Sequence, residues 1–364
     1  MGKKRISLLF ILSFIFTLFT FGMGGNEVSA ATSGDYALKV GGQNSDNLNI
    51  DGGSYYVTGD PGQTIDLNLL VVNKSSDTRQ FKFMVVTAYT NDNGGLSYNK
   101  KKVTDSSLKY PLRNYATPKD AVFKVPGNKT ATLTFKVTVP KGKYDGAIMG
   151  GVTVTPYNEK AKGTVSSNGT LIKNRFSYSV PIQIQQTGTT APDPKYSIRT
   201  IKPALTTTSD GANQGVKANI HNSTNGYIGS LSATAVVTKK GDKNFKIKQS
   251  YANQSIAPTT NYNLGISWGK KSFQSGEYHL KLTYKTKGGL KSWVLNKDFT
   301  ITNDQAAKYN KLAGQKPNYL WLYILLGILA LAIILGLGIY LGKRNNKNND
   351  NGSSNNAPKR RRRR

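Results

Sequence analysis

The chain has no cysteine in 364 residues. That absence excludes a disulfide framework and any thiolate metal site. Histidine is almost missing too: His221 and His279 are the only two. They lie in separate strand-like stretches, so a His-based metal cluster or an HExxH helix is not available. The GxSxG elbow, the Walker A loop and the CxxC pair are all missing. Asp105, Asp120 and Asp145 are carboxylates on which a glycan-cleaving pair could draw, but their spacing pairs none of them. Asp92-Asn93-Gly94 opens like a calcium loop and lacks the closing Glu. The expectation is a protein that is not an enzyme and has no cofactor and no metal.

Acids are scarce, 19 against 50 Lys and Arg, for a net charge of +31. So basic a chain first suggests nucleic acid, and the run Lys359 to Arg364 reinforces that impression. The two ends argue otherwise. Lys3, Lys4 and Arg5 precede an uncharged, mostly apolar run from Ile6 to Phe21, and Val28-Ser29-Ala30 supplies small residues at a cleavage site. This reads as a signal peptide over 1–30, with an N-terminal anchor as the alternative. Near the other end, Tyr319 to Gly342 carries no charge. As a helix rising 1.5 Å per residue, 319–342 is about 36 Å long, enough to cross the hydrocarbon core. Tyr319, Trp321 and Tyr323 sit at one rim and Tyr340 near the other, as an aromatic belt would. Gly338 and Gly342 form a single GxxxG, a weak dimerisation signal.

Residues 343–364 form a basic tail with Asp350 as its one acid. Positive charge flanking a span stays in the cytoplasm. The arginines therefore set topology and meet anionic lipid heads, and no nucleic-acid partner is expected. No LPxTG-like motif precedes the span, so a retained anchor is expected, not covalent attachment to a wall. The segment between the two ends is itself strongly basic. Outside a Gram-positive cell such a surface faces teichoic acids and peptidoglycan carboxylates; charge alone equally serves solubility.

Between the ends, period-two alternation recurs. Ile65, Leu67, Leu69 and Val71 share one face, as do Phe81, Phe83 and Val85, and again Leu133, Phe135, Val137 and Val139. Similar runs occupy 231–237, 278–282 and 297–301. Turn chemistry separates them, at Asp60-Pro61-Gly62, Asn91 to Gly95, Pro126-Gly127-Asn128 and Lys240-Gly241-Asp242. The fold class expected is all-β: two tandem immunoglobulin-like β-sandwich domains plus one C-terminal transmembrane helix. The stretch Gln185 to Pro194 reads as a linker. The division is then 31–189 for the first sandwich, 190–303 for the second, 304–318 for a stalk, 319–342 for the span and 343–364 for the tail. In Lys143 to Val154, Gly146, Gly150 and Gly151 interrupt a strand pattern. Such glycines mark either a bulge or a place where another chain or a glycan approaches bare backbone. Tyr144, Asp145, Gly146, Gly150 and Gly151 are therefore the candidate binding stretch. The Asn-x-Ser/Thr sites at Asn73, Asn128, Asn168, Asn222 and Asn253 are read as turns.

An ordered set of residues resembles a known family. Ser54-Tyr55-Tyr56, Pro61-Gly62-Gln63, Ala88 to Asn91 with Asn93-Gly94 and Tyr98, Asp105 to Leu108, Tyr144-Asp145-Gly146, Gly150-Gly151 and Arg175 to Tyr178 are similar to the first domain of the WxL-interacting proteins. Val236 to Gly241, Ala257-Pro258, Gly276 to Tyr278 and Trp293 with Phe299 to Ile301 are similar to the second. The sequence departs at Tyr55-Tyr56-Val57-Thr58, where the family commonly has Tyr-Phe-Asp-Leu. The resemblance implies a peptidoglycan-binding domain, then a host-binding domain, on a membrane anchor. Implied partners are peptidoglycan, WxL-domain surface proteins and host extracellular proteins. The protein is expected to be a non-covalent surface scaffold or adhesin, held to the membrane with its sandwiches outside the cell. A wall-modifying enzyme and an adhesin without WxL partners are the alternatives.

Overall fold

A computed structural model describes residues 35–159, 162–165, 171–174, 176–208, 211–315 and 319–350. The expected signal peptide and the terminal arginine run lie outside the described residues. Two β-sandwiches follow one another along the chain, and one long apolar helix follows them.

In the first sandwich a four-stranded sheet runs in the order 36–41, 64–73, 130–138, 116–117. A six-stranded sheet faces it, in the order 48–51, 54–59, 178–186, 148–156, 79–87, 120–125. The alternation builds the core directly. Ile65, Leu67, Leu69 and Val71 point inward to meet Phe81, Phe83 and Val85, with Phe135 and Val137 beside them. One pair is parallel: Ile182 lies opposite Tyr55, and Ile184 opposite Val57. The strand 178–186 therefore closes the first sandwich, and Gln185 and Gln186 belong to it rather than to a linker. Gln186 is buried; its amide donates to the carbonyls of Pro140 and Gly142, at 2.8 and 2.9 Å.

The second sandwich pairs a three-stranded sheet (196–208, 211–222, 260–267) with a four-stranded one in the order 242–254, 231–239, 276–285, 292–301. Val216, Ala218, Ile220, Leu264 and Ile266 meet Ala233, Ala235, Val237, Leu280 and Leu282 in its core. Tyr262 and Tyr284 share a buried hydroxyl–hydroxyl hydrogen bond of 2.7 Å there.

Most of the stretch expected to be a stalk is packed. Asn303–Leu312 is an α-helix opened by a capping box between Thr302 and Gln305. Ala306 enters the second core, Tyr309 meets Phe273 edge-on, and Asn310 bonds the Phe273 backbone through both its side-chain oxygen and its amide. The second helix, Leu320–Asp350, contains a 22-residue apolar stretch, Leu322–Lys343, with none of it buried. It is long and apolar enough to cross a membrane.

Candidate functional site at the domain junction

The chain leaves the strand 79–87 and wanders from Tyr89 to Tyr115 before returning to the sheets. Residues 101–114 of this excursion, with Thr87 at the end of the strand, line a cleft of about 840 Å³. Lys101, Lys102 and Arg113 line it with positive charge, Thr87 and Asn114 with neutral hydrogen-bonding groups, and Val103, Leu108 and Pro111 with apolar surface. The guanidinium of Arg113 is fixed by the carbonyls of Val85 and Lys119 and by Asp120. Burial alone would raise the Asp120 pKa, but the Arg113 hydrogen bond and charge, with Lys101 3.6 Å away, hold it low. Lys102 is exposed and, among the described residues, has no ion-pair partner. An incoming anion would therefore meet Lys102 as an uncompensated charge.

Asp105 is part of the same cleft wall and is the centre of the junction. Its side chain is 0% exposed. It accepts hydrogen bonds from both Arg199 terminal nitrogens at 2.7 and 3.0 Å, from Asn261, and from the amide and hydroxyl of Ser107 at 2.9 and 2.7 Å. Burial pushes its pKa up; the Arg199 and other hydrogen bonds outweigh that and leave it well below the usual carboxylate range.

His221 completes the cluster, its Nε2 2.9 Å from the Ser107 hydroxyl and 3.2 Å from Asp105. A Ser, a His and an Asp in contact invite comparison with a catalytic triad. In a triad the carboxylate holds one ring nitrogen and the nucleophile the other. Here Asp105 and Ser107 converge on the same nitrogen. His221 is also buried, with its pKa pushed down first by that burial. The cluster fastens two domains; its geometry does not make a relay.

Two further sets of contacts join the sandwiches. The turn at Asn91–Gly95 reaches the second sandwich: Ser255 N–H donates to the Gly94 carbonyl at 2.7 Å, Ala257 N–H to the Thr90 hydroxyl at 2.8 Å, and Lys217 pairs with Asp92 at 2.9 Å. Gly94 has φ +83° and lies so close to Gln254 that a Cβ would overlap that side chain. Near the linker, Gly146 N–H donates to the Thr190 carbonyl and Ala147 N–H to the Asn225 carbonyl.

The candidate stretch Tyr144–Gly151 is mostly interior. Tyr144 is buried against Tyr110 and donates to the Ile184 carbonyl at 3.3 Å. Asp145 is exposed. The close backbone approaches that the glycines permit are made by this chain itself. A Cβ on Gly146 would meet the Asn225 carbonyl at 2.6 Å, one on Gly150 the Leu112 side chain at 2.9 Å, and one on Gly151 the Tyr98 ring at 2.8 Å. Of the three aspartates weighed for chemistry, Asp105 is taken by Arg199 and Asp120 by Arg113. Arg199 and Asn261 carry no signal in the sequence, and His221 stands there only as a lone histidine in a strand-like stretch. Arg199, His221 and Asn261 lie 94, 114 and 156 positions from their partners in the 105–107 loop, and no local pattern links them.

No curated protein matches the chain. Solved structures similar to it include the CupB2 chaperone of Pseudomonas aeruginosa, 12% identical over 67% of this chain and 96% of that one, with a TM-score of 0.26. The YadV chaperone is 11% identical over 73% and 100%, at 0.27, and the E. coli chaperone DraB 13% identical over 68% and 95%, at 0.23. Family models match most of the chain. Residues 43–156 match the peptidoglycan binding domain of WxL Interacting Protein, and residues 167–311 match its host binding domain. The second match starts before the strand 178–186, which the fold nevertheless places in the first sandwich, and it ends on the docked helix 303–312. The two domains in this order establish that the chain belongs to the WxL-interacting protein family.

Proposed function

We propose that this protein is a membrane-anchored scaffold of the cell surface that holds peptidoglycan in the cleft between Lys101 and Arg113 and presents its second sandwich to a protein partner. The observation that carries this reading is the cleft's lining within the domain matched to peptidoglycan binding. Peptidoglycan offers stem-peptide carboxylates, sugar hydroxyls and amides, and apolar sugar faces. Lys102 and Lys101 suit the first, Thr87 and Asn114 the second, and Leu108 with Pro111 the third. In this reading Tyr144–Gly151 shapes the site from beneath, because Gly150 makes room for Leu112 between the cleft residues Pro111 and Arg113. The WxL-domain partner is implied by the family, and the anchor by Leu322–Lys343 with the basic tail on the cytoplasmic side.

The test is co-sedimentation of the full chain, in neutral detergent, with peptidoglycan stripped of attached polymers. Lys101→Gln with Lys102→Gln is expected to reduce binding about tenfold. Unchanged binding removes the cleft from the proposal, and released muropeptides would replace the scaffold with an enzyme. A parallel capture assay with a purified WxL domain separates the scaffold from an adhesin that acts alone.

A further inference from the structure

The two faces of the second sandwich have different fates. The outer surface of its three-stranded sheet supplies Arg199, Lys217, His221 and Asn261 to the junction. The four-stranded sheet turns its outer surface to solvent. On it Lys246 and Lys248 project from one edge strand, and Lys281 and Lys285 from the strand two places over; all four are exposed. Among the described residues none of the four is in an ion pair. The acids at the near corner are engaged, Glu277 by Lys240 at 2.7 Å and Asp298 by His279 at 2.5 Å.

Register fixes the spacing. Val236 lies opposite both Lys248 and Lys281, so these two lysines flank it in one row across the sheet. Strand geometry puts Lys246 and Lys248 about 7 Å apart along the strand and Lys248 and Lys281 about 10 Å apart across it. Thr234 and Thr283, paired in the next row, add hydroxyls between the charges. The side chains that alternate outward on these strands include no Phe, Tyr or Trp, and the one ring among them, His279, is held by Asp298 and Asn296, so the face offers no broad stacking platform for sugars.

Position adds a constraint. The helix Asn303–Leu312 is docked on this sandwich, and the apolar span starts at Leu322. The stretch 313–321 reaches at most about 30 Å even fully extended. On the anchored reading above, this sandwich is therefore held close to the bilayer, beneath the wall.

We infer that the outer face of the four-stranded sheet, centred on Lys246, Lys248 and Lys281, is a docking platform for a linear phosphodiester polymer of the envelope, of the poly(polyol phosphate) kind. Such a chain repeats one negative charge per short, flexible, hydroxylated unit. It can lay successive phosphates on cations 7–10 Å apart without needing an aromatic surface.

The experiment measures binding of the full chain, in neutral detergent at 0.15 M salt, to immobilised poly(glycerol phosphate). The variant Lys246→Gln with Lys248→Gln and Lys281→Gln is expected to bind at least tenfold more weakly. Replacing the same three by Arg should keep binding. The control, Lys39→Gln with Lys124→Gln and Lys129→Gln, removes equal charge from exposed positions of the first sandwich and should stay within twofold of the parent. Equal losses in both triple variants would reduce the effect to net charge and overturn the platform. No binding by the parent, or tighter binding to heparin than to the phosphate polymer, would also overturn it. Stripped peptidoglycan should be bound normally by the Lys246 triple variant, so failure here is distinct from failure of the cleft.

Discussion

Asp105 and Arg199 form a two-bonded ion pair across the domain junction, with the aspartate side chain wholly buried and the arginine side chain 34% exposed. Removing the guanidinium leaves a buried charge short of donors. Arg199→Ala should destabilise the protein by about 3 kcal/mol, the low end for a broken buried pair because Arg199 is partly solvated. Urea unfolding checks the magnitude. Limited proteolysis checks the place: cleavage in 187–195 should quicken, because that segment runs between the sandwiches.

The same junction makes stability depend on pH. The folded pKa of His221 is depressed by burial, so below about 6.5 the unfolded chain takes up a proton that the folded chain resists. Stability should decline as pH falls from 6.5 toward the folded value. Asp105, also depressed when folded, contributes stability above about pH 4 that is lost on further acidification. His279 works in the opposite sense. Its hydrogen bond with Asp298 raises its pKa, so its contribution is present below about 6.5 and fades as pH rises through the folded value. Urea midpoints between pH 4 and 8 should rise up to about pH 6.5 and decline above it; His221→Asn should flatten the rise and Asp298→Asn the decline. A profile indifferent to His221→Asn would contradict the junction electrostatics.

Gly150 and Gly188 separate steric from conformational demand. A Cβ on Gly150 would lie 2.4 Å from the Val86 carbonyl and 2.9 Å from Leu112, while one on Gly188 has nothing within 4 Å but requires φ +72°. Gly150→Ala should cost about 3 kcal/mol through overpacking between two sheet strands. Gly188→Ala should cost about 1 kcal/mol, from backbone conformation alone. Equal values in chemical denaturation would mean that the sheet opens to admit the methyl group.

Thr302 starts the helix that seals the second core. Thr302→Ala removes the hydroxyl that accepts from Gln305 N–H and should cost about 1 kcal/mol. Hydrogen exchange should rise first at residues 303–312, before it rises in the sheets.

Much of the fold was legible from side-chain alternation. Ile65 to Val71 needs only period two to reveal a buried face, and the apolar run before Lys343 needs only its length. Pairing was harder. The strand 178–186 joins 54–59 across more than a hundred positions, and Gln185-Gln186 looked like linker because polar side chains at a strand end resemble loop chemistry. The helix 303–312 contributes only Ala306, Tyr309 and Asn310 to its contacts, too few to stand out as a stripe. The junction loops at 88–94 and 105–108 stood out by family resemblance, but nothing local marked what they touch. Asp105, Arg199, His221 and Asn261 are ordinary residues until three distant strands and one loop are brought together. The glycines at 146, 150 and 151 left a bulge and a close approach both open in sequence; in the fold Asn225, Leu112 and Tyr98 of this same chain lie against them.

The strand Tyr178–Gln186 has a mechanical consequence. It is the last strand of the first sandwich and runs straight into the segment leading to the second sandwich and the apolar helix. It lies between a parallel neighbour, Ser54–Gly59, and an antiparallel one, Ile148–Pro156. Tension between the C-terminal helix and whatever grips the first sandwich would pull this strand along its own axis. Its hydrogen bonds on both sides would then be loaded together in shear, and the first sandwich would have to fail as a unit, not peel open one bond at a time.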